Sequence, residues 1–304
     1  MKKVLFIGGS SVLAYNWAKL IRHNSEIYLL KNKTKIYSKD YNIIDINSFD
    51  FFNLDRVFFQ IKPDIVINCA ALTSIEYCEK NIEESFRVNA ELPKIIASIC
   101  KTHKIKFVQI STDHLFNGLS NEFYTEKSFE RPLNVYAKTK LIGEQEAIKN
   151  NKETIIIRTN FFGWTNGCKK LFPEIIIDTL TAGNQIQLFD DVFFNPIDIS
   201  IIQQTVDILI SKNHSGIFNV TSNIKISKYE FGLKIADKFN LDKSLIIPIS
   251  IKSKQELILR PQNMALSNFK IKRICNRISF DLEDSINFFK NQLINKTKNE
   301  RKRK

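Results

Sequence analysis

The stretch Val4-Leu5-Phe6-Ile7-Gly8-Gly9-Ser10-Ser11-Val12-Leu13-Ala14 decides how the chain is read. A short apolar run enters a glycine pair, and the residues that follow have the spacing of a helix. In this strand-turn-helix context the pyrophosphate of a dinucleotide sits on backbone N–H groups at a helix N-terminus. Taken as Gly-x-x-Gly-x-x-Gly, the turn has Gly8, Ser11 and Ala14 at its three sites. Alanine at the third still allows close packing of helix on strand. Serine at the second puts a side chain where backbone approaches phosphate, although its hydroxyl can donate a hydrogen bond. The turn alone leaves two readings: a cofactor cradle formed by Gly8, Ser10, Ser11, Val12 and Leu13, or a plain structural turn.

Outward from this turn, short β-branched runs at 4–7, 26–30, 64–68, 105–110 and 154–157 alternate with amphipathic stretches at 14–23, 51–61, 83–103 and 136–150. That order predicts a parallel sheet with crossover helices. Several runs are apolar on both faces, as strands buried between two helical layers must be, which favours a doubly wound α/β fold of Rossmann-like type. After residue 160 the alternation loosens, with helices expected at 199–210, 228–239 and 282–293. The expected organisation is a dinucleotide-binding domain over 1–160, a smaller C-terminal substrate-binding lobe over 161–294 from which the chain is free to cross back to the sheet, and a basic flexible tail at 295–304.

Composition narrows the class. Of 304 residues 43% are apolar and 25% charged, enough to bury a core and unlike a disordered chain. The formal net charge is +13, and the final NKTKNERKRK segment concentrates much of it. Such a balance suits nucleic acid, an anionic membrane surface or a phosphorylated small molecule, and charge alone does not choose; the tail is read as a solvated end. The five cysteines are odd in number and lack Cys-x-x-Cys spacing, which argues against a disulfide framework, against a zinc site and for a reducing cytoplasm. The N-terminal apolar run is too short for a signal peptide or a membrane span.

Three local patterns carry chemistry. After the second strand the chain reads Leu30-Lys31-Asn32-Lys33, with no acid to hold a ribose 2′-hydroxyl. Lys31 and Lys33 either pair with a 2′-phosphate, favouring NADPH over NADH, or lie on a solvated loop. Asp45, closing the run NIIDI, reaches the adenine or is a solvated acid. Tyr136 and Lys140 stand four apart at the start of a helix and so share a face. An adjacent ammonium favours the phenolate and lowers the tyrosine pKa, while the same lysine can hold ribose hydroxyls. Finally, the strand KFVQI ends in Ser111-Thr112-Asp113 at the carboxyl edge of the sheet, where ligands of open α/β folds bind.

The pieces IGGSSVLA, KPDIVINCAALTSIEYCE, FRVNAELP, QISTDHLFNG, PLNVYAKTKLIGE, IIIRTNFFGW, FFNPIDI and ILRPQNMAL, spread over nearly the whole chain, resemble the extended short-chain dehydrogenase/reductases, and among them the dTDP-4-dehydrorhamnose reductase group. The resemblance implies reduction of a 4-keto-6-deoxy sugar nucleotide by NADPH or NADH, in deoxysugar and polysaccharide biosynthesis. It makes Thr112, Tyr136 and Lys140 the catalytic set. Gly8, Ser11, Asn68, Ala70, Ala71 and Asn89 become cofactor contacts, and Arg260 a substrate contact from the C-terminal lobe. Thr112, Asp113 and Asn160 are placed against the substrate; Phe161 and Phe162 flank it or pack in the core. Lys169 and Lys170 are weaker diphosphate candidates, and Arg260 has a structural ion pair as its alternative role. His114 stands where dehydratases of the superfamily carry glutamate, which favours a reductase over an epimerase or dehydratase, and is expected to be a wall residue. No metal is expected; a homodimer is. The rival implied by the same resemblance is a non-catalytic protein like the regulatory subunit of methionine adenosyltransferase.

Overall fold

The computed structural model describes residues 1–32, 40–165 and 170–301, with the side chains of 294–301 outside the description. Lys33, Lys169 and the side chains of the basic tail therefore lie outside the described residues. Seven strands, β1 (Lys2–Ile7), β2 (Ser25–Lys31), β3 (Asn42–Asp45), β4 (Ile65–Asn68), β5 (Lys106–Ile110), β6 (Ile155–Arg158) and β7 (Gly216–Asn219), form one parallel sheet. Their spatial order is β7-β6-β5-β4-β1-β2-β3. The order reverses between β1 and β4, so a crevice opens above their carboxyl ends, where Gly8 and Ala70 lie.

The side-chain period of two divides each strand between two cores. Val4, Phe6, Ile65, Ile67, Val108 and Ile110 face one side, packed with Trp17 of the helix Val12–Ile21 and Ile202 and Val206 of the helix Ile199–Ser211. Leu5, Ile7, Val66, Phe107 and Ile156 face the other, against Leu54 and Phe58 of the helix Phe51–Ile61, Ile96 of the helix Leu92–Thr102 and Ala147 of the helix Val135–Asn150. A third core is aromatic: Phe162, Phe194, Phe231 and Phe289 bring together the strand Phe193–Phe194 and the helices Phe172–Thr181, Lys228–Phe239 and Leu282–Arg301. The helix Ile199–Ser211 and β7 carry the chain back from this lobe to the main sheet. The stretch expected as one helix at 83–103 is instead Ile82–Phe86, a π-helical turn Arg87–Glu91, and Leu92–Thr102. The last helix continues past its expected end at 293. No helix among the described residues is long and apolar enough to cross a membrane.

Arg158, at the end of β6, is completely buried. Its Nε donates to both carboxylate oxygens of Glu144 at 3.0 Å, and its Nη2 donates at 2.6 Å to Glu144 and to Glu130. Removing one partner of such a network strands the other charge in a medium that solvates it poorly. Arg158→Met is therefore expected to lower the unfolding free energy by about 3–5 kcal/mol. Adding Glu144→Gln should cost less than the sum of the two single changes, because the charge to be stranded is gone. Urea denaturation of the three variants checks both statements.

Candidate active site

The turn after β1 is shaped by a close approach of backbones. Gly8 has φ +76°, and a Cβ there would lie 2.6 Å from the Ala70 nitrogen, so only glycine fits. Ser11 is the N-cap of the helix Val12–Ile21: its N–H donates to the Gly8 carbonyl at 2.9 Å and its Oγ accepts from Ala14 N at 3.2 Å. The N–H groups of Val12 and Leu13 then lie in the first turn, at the positive end of the helix, where no intrahelical acceptor exists. This turn fits the pyrophosphate of a dinucleotide, and the departure from glycine at position 11 is a capping residue.

Asn68 and Asn89, expected against the cofactor, direct their polar atoms into the protein. Asn68 Oδ1 accepts from Ala70 N at 3.1 Å and its Nδ2 donates to Gln109 Oε1 at 2.8 Å. Asn89, on the π-helical turn, accepts from Leu72 N at 2.9 Å and donates to Leu72 O at 3.0 Å and Thr139 Oγ1 at 3.2 Å. Both therefore fix the turn that contains Ala70 and Ala71. Lys31 ends β2 as anticipated, but its ammonium pairs with Asp45, which lies beside it in register on β3. The acid missing from the end of β2 is thus supplied by the neighbouring strand.

At the catalytic end, Thr112 follows β5 and donates to Asp113 Oδ1 at 3.2 Å, while Asn160 Nδ2 donates to Asp113 Oδ2 at 2.8 Å. Tyr136 is buried at the start of the helix Val135–Asn150, near enough to Thr112 for the two side chains to interact. Burial pushes its phenol above the ordinary value and outweighs Thr112. The expected lowering by Lys140 is not found, since the Lys140 ammonium donates to the Ile110 carbonyl at 2.7 Å and is itself lowered by burial, to about 8. His114 forms a wall, its ring edge-on to Tyr136 at 5.7 Å; burial lowers its imidazole pKa and its Nδ1 has no partner. Phe162 is core, packed on Phe231 and Phe289, while Phe161 is partly buried against the sheet.

Arg260 pairs with Glu76 on the helix Ile75–Lys80 and donates to the Ile258 carbonyl at 3.1 Å. It also lines a pocket of about 470 Å³ with Gly118, Leu133, Lys252 and Lys254, so ion pair and pocket wall are both its place. Lys170 pairs with Asp178 at 2.5 Å. Sequence reasoning passed over Lys228, at the start of the helix Lys228–Phe239, whose charge bears on Asp113 and His114 across the cleft. Its one sequence signal, a lysine in the first turn of a helix, gives no hint of this electrostatic influence from far along the chain.

The model of the RmlD substrate binding domain family matches residues 1–292. The chain belongs to this family. Within it, the chain is 27% identical to a dTDP-4-dehydrorhamnose reductase of Aggregatibacter actinomycetemcomitans, over 90% of its own length and 93% of the relative's. It is 34% identical to a probable low-salt glycan biosynthesis reductase of Haloferax volcanii, over 60% of this chain and 62% of that one. Similarity also extends to methionine adenosyltransferase 2 subunit beta of Bos taurus, at 25% identity over 69% of this chain and 63% of the relative. A dTDP-4-dehydrorhamnose reductase of Bacillus anthracis in complex with NADP has the same fold, with a TM-score of 0.82 at 22% identity, covering 96% of this chain and 100% of that one.

In this RmlD-family cleft the Lys140 shift has a measurable consequence. Its pKa in the folded protein, about 8, lies below the roughly 10.4 of an unfolded chain. Between these values the unfolded state holds a proton the folded state has released, so this group makes stability rise with pH in that window. The unfolding free energy of the wild type minus that of Lys140→Met is expected to increase from about pH 8 to about pH 10 and to be flat below. Urea denaturation at several pH values checks it.

Proposed function

We propose that this protein is an NAD(P)H-dependent reductase of a 4-keto-6-deoxy sugar nucleotide, working in the cytoplasm in deoxysugar and surface polysaccharide biosynthesis. The observation that carries the reading is the convergence of Thr112, Tyr136 and Lys140 at the carboxyl end of β5, beside a turn able to take a dinucleotide. The Aggregatibacter relative is named for this activity, and the Bacillus anthracis structure holds NADP.

A bound nicotinamide cofactor supplies the hydride. Tyr136 gives its phenolic proton to the keto oxygen, a role that burial supports, because it keeps the phenol protonated until the oxygen gains charge. Thr112 donates a hydrogen bond to that developing oxyanion. Lys140, buried on the same helix and bonded to the Ile110 carbonyl, is the cation that would hold the ribose hydroxyls. Arg260, Lys252 and Lys254 line the pocket suited to the nucleotide and diphosphate.

Tyr136→Phe removes only a hydroxyl, so folding and cofactor binding are expected to survive while single-turnover NADPH oxidation with such a substrate falls about 100- to 10,000-fold. Lys140→Met is expected to weaken cofactor binding as well. Wild-type protein inactive toward every 4-keto-6-deoxy sugar nucleotide would favour the regulatory reading. For cofactor choice, Lys31→Ala is expected to weaken NADPH more than NADH, and Asp45→Asn, which frees Lys31, to widen the preference for NADPH; fluorescence titration of both cofactors measures it, and NADH binding tighter than NADPH in the wild type contradicts it.

A further inference from the structure

Lys228 is placed where local physics opposes a cation. It stands in the first turn of the helix Lys228–Phe239, whose positive end repels it. Its Nζ lies 3.3 Å from the centre of the Phe194 ring and 5.1 Å from that of Phe172. Those rings belong to the aromatic core of the lobe, Phe194 against Phe231 at 5.4 Å and Phe172 against Phe231 at 5.9 Å, so the cage is rigid. Among the described residues no carboxylate comes within 4.0 Å of this ammonium. Cation–π attraction offsets part of the lost hydration, and no hydrogen bond to another described residue holds the ammonium of this half-buried lysine. A cation set against the helix dipole, seated on aromatic faces and left without a protein hydrogen bond, marks a functional position.

The location says what the donors are for. Phe194 is followed by the strand Ile197–Asp198, whose Ile197 N–H donates to the Asn160 carbonyl at 2.9 Å, and Asn160 in turn holds Asp113. The Lys228 cage is thereby joined to the residue next to Thr112. Burial lowers the ammonium to about 8, and Asp113 is the group that supports its charge. Lys228 is not part of the pocket lined by Arg260, Lys252 and Lys254, which already has cations for a diphosphate. An ammonium donor opposite a carboxylate acceptor is the arrangement that grips a neutral, hydroxylated ring, whose hydroxyls both accept and donate.

Resting on the reductase reading above, we propose that Lys228 is a specificity-determining residue of this site, its ammonium donating to an oxygen substituent of the hexose ring of the sugar nucleotide. The selected class is a hexose that keeps its ring hydroxyls, in preference to one deoxygenated there.

The test compares wild type, Lys228→Met and Lys228→Arg in steady-state reduction of a 4-keto-6-deoxy sugar nucleotide with NADPH, beside calorimetric binding of dTDP alone. Lys228→Met keeps the aliphatic stem on Phe194 and is expected to raise KM for the sugar nucleotide about 10- to 100-fold, the usual loss for a hydrogen bond to a charged group. NADPH and dTDP binding are expected to be unchanged, and Lys228→Arg to recover part of the loss. Should Lys228→Met fail a thermal melt, Lys228→Gln takes its place. An unchanged KM in an otherwise active enzyme overturns the assignment, and so does an equal weakening of dTDP, which would place the ammonium on the diphosphate. Wild-type protein that reduces no such substrate removes the reductase reading and this inference with it.

Discussion

A guanidinium sealed from water sets the geometry of the cleft. The helix Val135–Asn150 has little apolar face to bury: its buried residues include Tyr136, Thr139, Lys140, Gly143 and Glu144. Hydrophobic burial therefore cannot decide how it is rotated against the sheet. The Arg158–Glu144 pair does, because the buried Arg158 at the end of β6 needs this carboxylate together with that of Glu130 to satisfy its charge. Glu144 is four residues beyond Lys140 and eight beyond Tyr136, so pinning it turns all three side chains to the same side. Gly143 allows the close approach this needs, since a Cβ there would meet the Asn89 carbonyl at 2.1 Å.

Once the helix is seated, burial dominates the electrostatics at its start. The Tyr136 phenol and the Lys140 ammonium are both driven toward their neutral forms, by the same loss of hydration. For a proton donor this is the useful direction. A phenol poised as phenolate would have nothing to give, whereas one held neutral releases its proton only when the keto oxygen becomes basic.

Much of the fold was legible because strands buried on both faces must be apolar throughout, which made the runs feeding β1, β2, β4, β5 and β6 plain. β3 and β7 were harder. Each has four residues, none of them fully buried in β3 and only two in β7, so neither shows the run of buried positions that marks a central strand. The grouping of Thr112, Tyr136 and Lys140 at one end of the sheet was also legible, since Tyr136 and Lys140 are related by helix geometry and Thr112 by its place after a strand. What could not be read were partnerships across long stretches of chain: Lys31 with Asp45, Arg260 with Glu76, and Lys228 opposite Asp113. In each case the sequence displays a charge and the fold chooses what it meets. Asn68 and Asn89 show the converse. Whether an amide faces a ligand or the backbone depends on turns such as the π-helical one at Arg87–Glu91, which has no local signature.

The return of the chain to the sheet then matters for more than stability. A lobe attached by a single linker would be free to move relative to the sheet. Here the strand pair Phe161–Phe162 and Ile197–Asp198 lies at the root of the lobe, and the helix Ile199–Ser211 with β7 ties it to the sheet a second time. Asp113 from the sheet and the Phe194 cage from the lobe are thus held at a fixed separation by Asn160, which contacts both sides. A site whose two walls are anchored in this way loses little freedom when a ligand enters, so its polar contacts act as selectivity for ring substituents rather than being spent on ordering the cleft.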